Sequence, residues 1–282
     1  MRRSLELSTG IPSVRPRGLL LCAALLGLGL QAHPPSGAAP PACSTTAGLS
    51  TCLYPGRPPA LVLLTGLGRA MDSWPPSFLE ALNRSAAVLV YDRRGYGSSA
   101  PLPAEPRPGE PVTAEAASRD LEAVLARLGL GRVVLVGHSL GGLYAQFFAR
   151  RYPQQVAAVV LLDAASPFEP LADPRFRTRA QLPPGSTDDR ENRGLDASIR
   201  QIRQGPPFPP VPLLVISATN HQSPQDLEAE WQRIQARTAR QSPLGQQIVA
   251  EGSGHDIHID QPALVVARIE QLLLQLRAAP SR

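Results

Sequence analysis

Short, mostly aliphatic runs alternate along this chain with longer stretches in which apolar residues recur every three or four positions. The runs are Leu61–Leu64, Ala86–Tyr91, Val133–Val136, Ala157–Leu162 and Val211–Ser217, with a last short one at Gln247–Ala250. Such runs predict strands, most of them buried on both faces. Between them lie helical patterns. Pro75 and Pro76 suit the opening turn of a helix that reaches Leu82. Thr113 caps a longer one, with Glu115 in its first turn, Leu121, Val124, Leu125 and Leu128 on one stripe, and Gly129 as its stop. Further helices are predicted at Leu143–Arg151, at Asp226–Arg240 with Leu227, Trp231 and Ile234 on one face, and at Pro262–Leu276. Strands alternating with amphipathic helices predict an α/β domain, its sheet mostly parallel and covered on both faces.

Two segments break the alternation. Residues 164–210 are polar, rich in Pro and Arg, and hold no strand run. Phe168, Leu171, Phe176 and Ile202 there either line a pocket or form the segment's own small core. The other segment is the beginning of the chain. Arg2, Arg3, Arg15 and Arg17 precede an uncharged run from Gly18 to Leu30, too short to span a bilayer but suited to the core of a signal peptide. Residues 1–32 are therefore expected to be a signal peptide cut after Ala32, the alternative being an uncleaved anchor in the membrane. Residues 33–42, rich in Pro, Ala and Gly, are expected to be a flexible leader, and residues 43–282 the folded domain.

Cysteine usage agrees with export to a secreted or periplasmic location. Cys22 lies in the signal core, which leaves Cys43 and Cys52, a pair that an oxidising compartment would bridge across a hairpin. The net charge is +5, of which the first 32 residues carry +3. All basic residues are arginine, and no basic run of the kind that binds nucleic acid is present. No Cys/His spacing resembles a metal site and no cofactor motif occurs, so neither a metal nor a cofactor is expected.

The candidate chemistry is at Gly137-His138-Ser139-Leu140-Gly141, between a buried strand and a helix. This is the G-x-S-x-G pattern in the strand–turn–helix context it requires. The serine takes strained backbone angles that raise its hydroxyl above the sheet edge, and side chains at Gly137 and Gly141 would collide with neighbouring chain. The N–H of Leu140 would then face a developing oxyanion.

Here the chain resembles the α/β-hydrolase superfamily, over roughly residues 53–276. Leu61-Val62-Leu63-Leu64-Thr65-Gly66-Leu67-Gly68 resembles its third strand and His-Gly-x loop, with Thr65 in place of histidine. Tyr91-Asp92-Arg93-Arg94-Gly95-Tyr96-Gly97-Ser98-Ser99 resembles its D-x-R-G-x-G-x-S turn. Gly252-Ser253-Gly254-His255, with Asp260-Gln261-Pro262, resembles the loop that delivers the catalytic histidine. The resemblance implies the α/β-hydrolase fold with residues 164–210 as a cap or lid, and Leu67 as second oxyanion donor beside Leu140. Asp92 and Arg94, charged residues just after the Ala86–Tyr91 strand, are expected to tie a loop down rather than do chemistry.

A serine nucleophile needs a base, and the base an acid. His255 is the expected base and His258 a reserve; His138 is expected to point away from the serine. The superfamily usually places the acid after the strand that Val211–Ile216 forms here, but Ser217-Ala218-Thr219-Asn220-His221 contains no carboxylate. Asp163, at the end of the preceding strand, is the first candidate, and Asp226 the second. The expected activity is serine hydrolysis of a carboxylic ester or related acyl bond in a small-molecule substrate. Superfamily dehalogenases and epoxide hydrolases carry aspartate where Ser139 stands. The alternatives are an acyltransferase or cofactor-free perhydrolase on the same site, and a non-catalytic binding protein of this fold.

Overall fold

The structure, a computed structural model, describes residues 40–102, 110–176 and 181–279. The segment expected to be a signal peptide, most of the expected leader, and much of the proline-rich loop at 101–111 lie outside those residues. Ala42, at the leader's end, already opens a strand.

Eight strands form one sheet: β1 (Ala42–Thr46), β2 (Leu49–Tyr54), β3 (Leu61–Leu64), β4 (Val88–Tyr91), β5 (Val133–His138), β6 (Val156–Leu162), β7 (Leu213–Ala218) and β8 (Gly245–Ala250). Their spatial order is β1-β2-β4-β3-β5-β6-β7-β8. The pairs from β4 through β8 are parallel, whereas β2 joins β4, and β1 joins β2, antiparallel. The helices are α1 (Pro76–Asn83), α2 (Ala114–Arg127), α3 (Leu140–Arg151), α4 (Thr187–Gln204), α5 (Gln225–Ala239), α6 (Ile257–Asp260) and α7 (Pro262–Ala278).

Strand periodicity divides the core in two. Val62, Leu64, Leu135, Val159 and Leu161 face one way, against Leu121, Val124 and Leu125 of α2 and Leu143 and Phe148 of α3. Leu61, Leu63, Val134, Val136 and Val160 face the other, against Phe78, Leu79 and Leu82 of α1 and Val265, Ile269 and Leu273 of α7. Both faces of the central strands are buried, as the unbroken aliphatic runs require.

Local chemistry sets several boundaries. Pro76 opens α1 and Pro262 opens α7, where a missing N–H costs nothing. Thr113 stands at the N-cap of α2, yet its hydroxyl accepts from Gln201 Nε2 at 3.4 Å rather than from a backbone N–H of the helix. Cys43 and Cys52 face each other across the β1–β2 hairpin and are disulfide-bonded.

The segment between β6 and β7 contains a long helix that its average polarity conceals. In α4, Leu195, Ile199 and Ile202 are buried at i, i+4 and i+7, while much of the remaining surface is charged. Ser186 caps it by accepting from the Asp189 N–H. Of the four apolar residues singled out in this segment, Ile202 is core and Phe176 lines the main cavity. Leu171 packs partly on the core, and Phe168 lies under the Arg237 guanidinium at 4.1 Å.

Candidate active site

β5 ends at His138, and the next residue turns the chain sharply. Ser139 has φ 53° and ψ −123°, a backbone that non-glycine residues seldom adopt. Its N–H donates to Leu162 O, and its carbonyl accepts from the N–H groups of Gly142 and Ala165, so the strained turn is held from three sides. α3 begins at Leu140, immediately after it. The turn closes only around glycines. A Cβ at Gly137 would lie 2.5 Å from Gly142 Cα, and one at Gly141 would strike the carbonyl oxygens of Leu64 and Thr65.

The loop after β3 passes over this turn. A Cβ built on Gly66 would come within 3.2 Å of Ser139 Cβ. Leu67 follows, and its N–H, like that of Leu140, has no acceptor among the described residues. Arg93, which follows Asp92 after β4, fastens the loop: Nη1 donates to Thr65 O and Oγ1, both at 2.7 Å, and Nη2 to Gly66 O at 2.9 Å. The same guanidinium makes a two-pronged pair with Glu191 of α4, Nε–Oε1 2.7 Å and Nη2–Oε2 2.9 Å, both side chains being buried. Burial opposes the charge on Arg93, but the Glu191 carboxylate outweighs it and holds the guanidinium firmly protonated. Tyr96 Oη donates to Glu191 and accepts from the Gly68 N–H. Asp92 accepts from the Met71 N–H at 2.7 Å, and Arg94 pairs with Asp120 of α2, the structural roles expected of them.

Asp163 lies just past β6, fully buried, and it too has a positive φ of 42°. Two left-handed non-glycine residues on one cavity cost of order 1–3 kcal/mol each, and such strain concentrates at functional sites. The Asp163 carboxylate is saturated. Oδ2 accepts from His255 Nδ1 at 2.6 Å and from His221 Nε2 at 2.7 Å. Oδ1 accepts from Trp231 Nε1 at 2.7 Å and from the Ala218 N–H at 3.0 Å. Burial works against ionisation, but the hydrogen bonds and charges of the two imidazoles prevail and hold the carboxyl well below the usual carboxylate range. His221 is bonded on its far side to Glu228 of α5, Nδ1–Oε2 2.7 Å. Burial lowers its proton affinity, yet the two carboxylates raise its pKa to about 9.

His255 comes from the loop between β8 and α6. With Nδ1 donating to Asp163, Nε2 is the nitrogen left to take a proton. Ser139 and His255 line the same cavity. No hydrogen bond joins them among the described residues, and such contacts commonly tighten only when substrate binds.

The histidine beside the serine, His138, also belongs to the site. It lines the cavity, packs 4.7 Å from the His255 ring, and its Nε2 bonds to the His255 carbonyl at 3.1 Å. β5 pleating turns it from Ser139, but the histidine loop folds back onto it. Burial, then the neighbouring His255 and His258, keep it neutral. His258 is buried between Trp74 and His138, and burial drops its pKa to about 4. It supports the loop from behind. Asp226, in the first turn of α5, is exposed and has no part in the Asp163 network.

Among the described residues, two trios have ligand-type atoms close enough for a metal, Asp163/His221/His255 and His138/Asp256/His258. In the first, both His221 nitrogens face carboxylates. In the second, His138 Nε2 faces a carbonyl, which accepts and cannot donate. Both read as hydrogen-bond networks that place protons on those nitrogens.

The cavity holds about 450 Å³. Its apolar wall is Leu67, Leu140, Phe176, Leu195, Leu227 and Trp231. A parallel sheet, a serine turn after β5 and an aspartate–histidine pair at the carboxyl ends of the strands define a class, and comparison with known proteins supplies it. Residues 59–188 match the model of the alpha/beta hydrolase fold, and with its eight-stranded, mostly parallel sheet the chain has the α/β-hydrolase fold. It is similar to the uncharacterized protein YqjL of Bacillus subtilis, 26% identical over 212 residues, covering 73% of this chain and 79% of the other. It is 37% identical over 125 residues to a protein of Stutzerimonas stutzeri named, provisionally, as the carbamate hydrolase RutD, covering 44% of each chain, so that likeness spans under half of either. Among solved structures it superposes on a thermophilic esterase from Thermogutta terrifontis with a TM-score of 0.60 at 21% identity, covering 84% of this chain and 99% of that one. At that identity the likeness is one of fold.

Proposed function

We propose that the chain is a serine hydrolase of carboxylic esters or related acyl bonds, working through Ser139, His255 and Asp163. The observation that carries this reading is the Asp163–His255 bond at 2.6 Å above a serine held at φ 53°. His255 Nε2 takes the Ser139 proton as Oγ attacks the acyl carbonyl, and gives it to the leaving alcohol. Asp163 holds the tautomer and faces the imidazolium that forms. The N–H groups of Leu140 and Leu67 receive the oxyanion. Water then repeats the sequence on the acyl-enzyme, releasing the acid.

The absence of a carboxylate in Ser217–His221, just after β7, is the sequence feature that favours a non-catalytic protein. Asp163 supports the enzymatic reading because it reaches the same place from β6 and receives Ala218 N–H, the last residue of β7. A cavity of about 450 Å³ falls within the roughly 300–1,000 Å³ of small-molecule sites and suits short to medium acyl groups. The disulfide fits an oxidising compartment, and export is part of this reading. Among the described residues, no helix is long and apolar enough to cross a membrane.

The test is hydrolysis of p-nitrophenyl esters from acetyl to long acyl chains. Ser139→Ala is expected to abolish turnover, and Asp163→Asn to lower kcat on the order of a thousandfold or more, while Asp226→Asn stays near wild type. An unaffected Asp163→Asn would remove the acid from this scheme. Failure of the wild-type protein to turn over any ester would overturn the reading.

A further inference from the structure

His221 stands where the sequence offers no carboxylate, yet it occupies the site. Both of its ring nitrogens face carboxylates, Asp163 Oδ2 at 2.7 Å and Glu228 Oε2 at 2.7 Å, and Glu228 also accepts the His221 backbone N–H at 2.9 Å. An ionised carboxylate only accepts, so both nitrogens must donate, and only the imidazolium carries two N–H groups. His221 and His255 share one oxygen of Asp163, with ring centres 6.3 Å apart. The array therefore runs Glu228⁻, His221⁺, Asp163⁻, His255.

Resting on the hydrolase reading above, we propose that His221, held as a cation between Asp163 and Glu228, is a positioning residue for the triad acid and a counter-charge that tempers the pull of Asp163 on the catalytic base. One Asp163 charge would otherwise act on His255 alone. Here a cation bonded to the same oxygen divides that field. The imidazolium that forms during catalysis is still stabilised, but the resting base is drawn less strongly toward its protonated form.

The other charged and titratable groups around His255 do not duplicate this role. From β5 comes His138, neutral and bonded to the His255 carbonyl. From the histidine loop and α6 come Asp256 and the buried His258. From the loop after β3 comes Arg69, paired with Asp256 at 3.3 Å. The segment between β6 and β7 brings Glu169 and Arg175 to the cavity wall. Among the described residues, only His221 is a cation bonded directly to Asp163.

The test compares the pH dependence of kcat/KM for wild type, His221→Gln and Glu228→Gln. A glutamine at 221 can still donate to Asp163 but carries no charge. Its acid limb is expected to move up by about one pH unit, roughly half of what an effective dielectric near 20 gives over this separation, because His255 is 46% exposed. Glu228→Gln removes the outer anion and leaves the cation, so its acid limb is expected to move down, by about half a unit. A group that merely packs would lower activity in both variants and leave both limbs at the wild-type pH, which overturns the proposal.

A second measurement needs no turnover. Ring nitrogen NMR of the Ser139→Ala protein is expected to show His221 with both nitrogens protonated through neutral pH. A neutral His221 tautomer at pH 7 overturns the proposal even in an active esterase. An imidazolium there in a protein that hydrolyses nothing would leave the charge array standing and count against the hydrolase reading alone.

Discussion

Asp163 is a four-acceptor carboxylate, and each donor has a separable consequence. Trp231→Phe keeps the ring and removes one N–H from Oδ1. A hydrogen bond to a charged group contributes roughly 1.5–3 kcal/mol, so kcat is expected to fall about tenfold or somewhat more, with KM little changed, in steady-state kinetics on an ester substrate. His221 also writes itself into stability. Its folded pKa, about 9, lies above the ordinary 6.5. The stabilisation it gives is fully present below pH 6.5 and is lost as pH rises through 9. Melting temperature should therefore decline between those values in the wild type, and thermal scans of His221→Gln should show a flatter profile across that window. The turn at Ser139 and the loop that carries His255 to the cavity are legible in the sequence because their neighbours constrain them: glycines that a turn demands, and a Gly-rich loop after the last strand. His221 and Trp231 are not. One looks like a loop histidine, the other like helix packing, and only the approach of α5 to the end of β6 gives each a carboxylate.

At the scale of elements, the strands and most helices follow from periodicity, since burial on both faces leaves an unmistakable aliphatic run. α4 escaped because only Leu195, Ile199 and Ile202 mark its inner face, while Arg190, Glu191 and Ser198 are buried beside them. Polar residues inside a helix face are legible only when their partners are known. Glu191 is the important one, since it binds the Arg93 guanidinium that grips the Thr65–Gly66 loop. Arg93→Met would leave the buried Glu191 carboxylate without its counter-charge, and urea unfolding is expected to show a loss of about 3–5 kcal/mol. Pairing it with Glu191→Leu removes the stranded charge, so most of that stability should return. Catalysis should not return with it, because the Thr65–Gly66 loop has still lost its three guanidinium hydrogen bonds. A double variant as active as wild type would show that the loop holds itself.

Over the whole molecule, the parallel sheet was legible from strand–helix alternation, whereas the antiparallel β1–β2 edge entered only through its cysteines. That edge is closed by the Cys43–Cys52 bond. Replacing both cysteines by serine is expected to cost roughly 2–3 kcal/mol in denaturant unfolding, the loop-entropy figure for so short a ring, and to leave esterase kinetics unchanged, since the hairpin is at the far side of β4 and β3 from the serine turn. The link between α4 and the Thr65–Gly66 loop reaches further than stability. A lipase whose cover swings aside at an oil surface must have a cover that can move without disturbing the machinery beneath. Here the helix beside the cavity and the loop that would receive the oxyanion grip one guanidinium between them, so lifting the one would slacken the other. Such a protein should take its substrates singly from solution, and its rate should rise smoothly with ester concentration through the onset of micelles, with no jump at the interface.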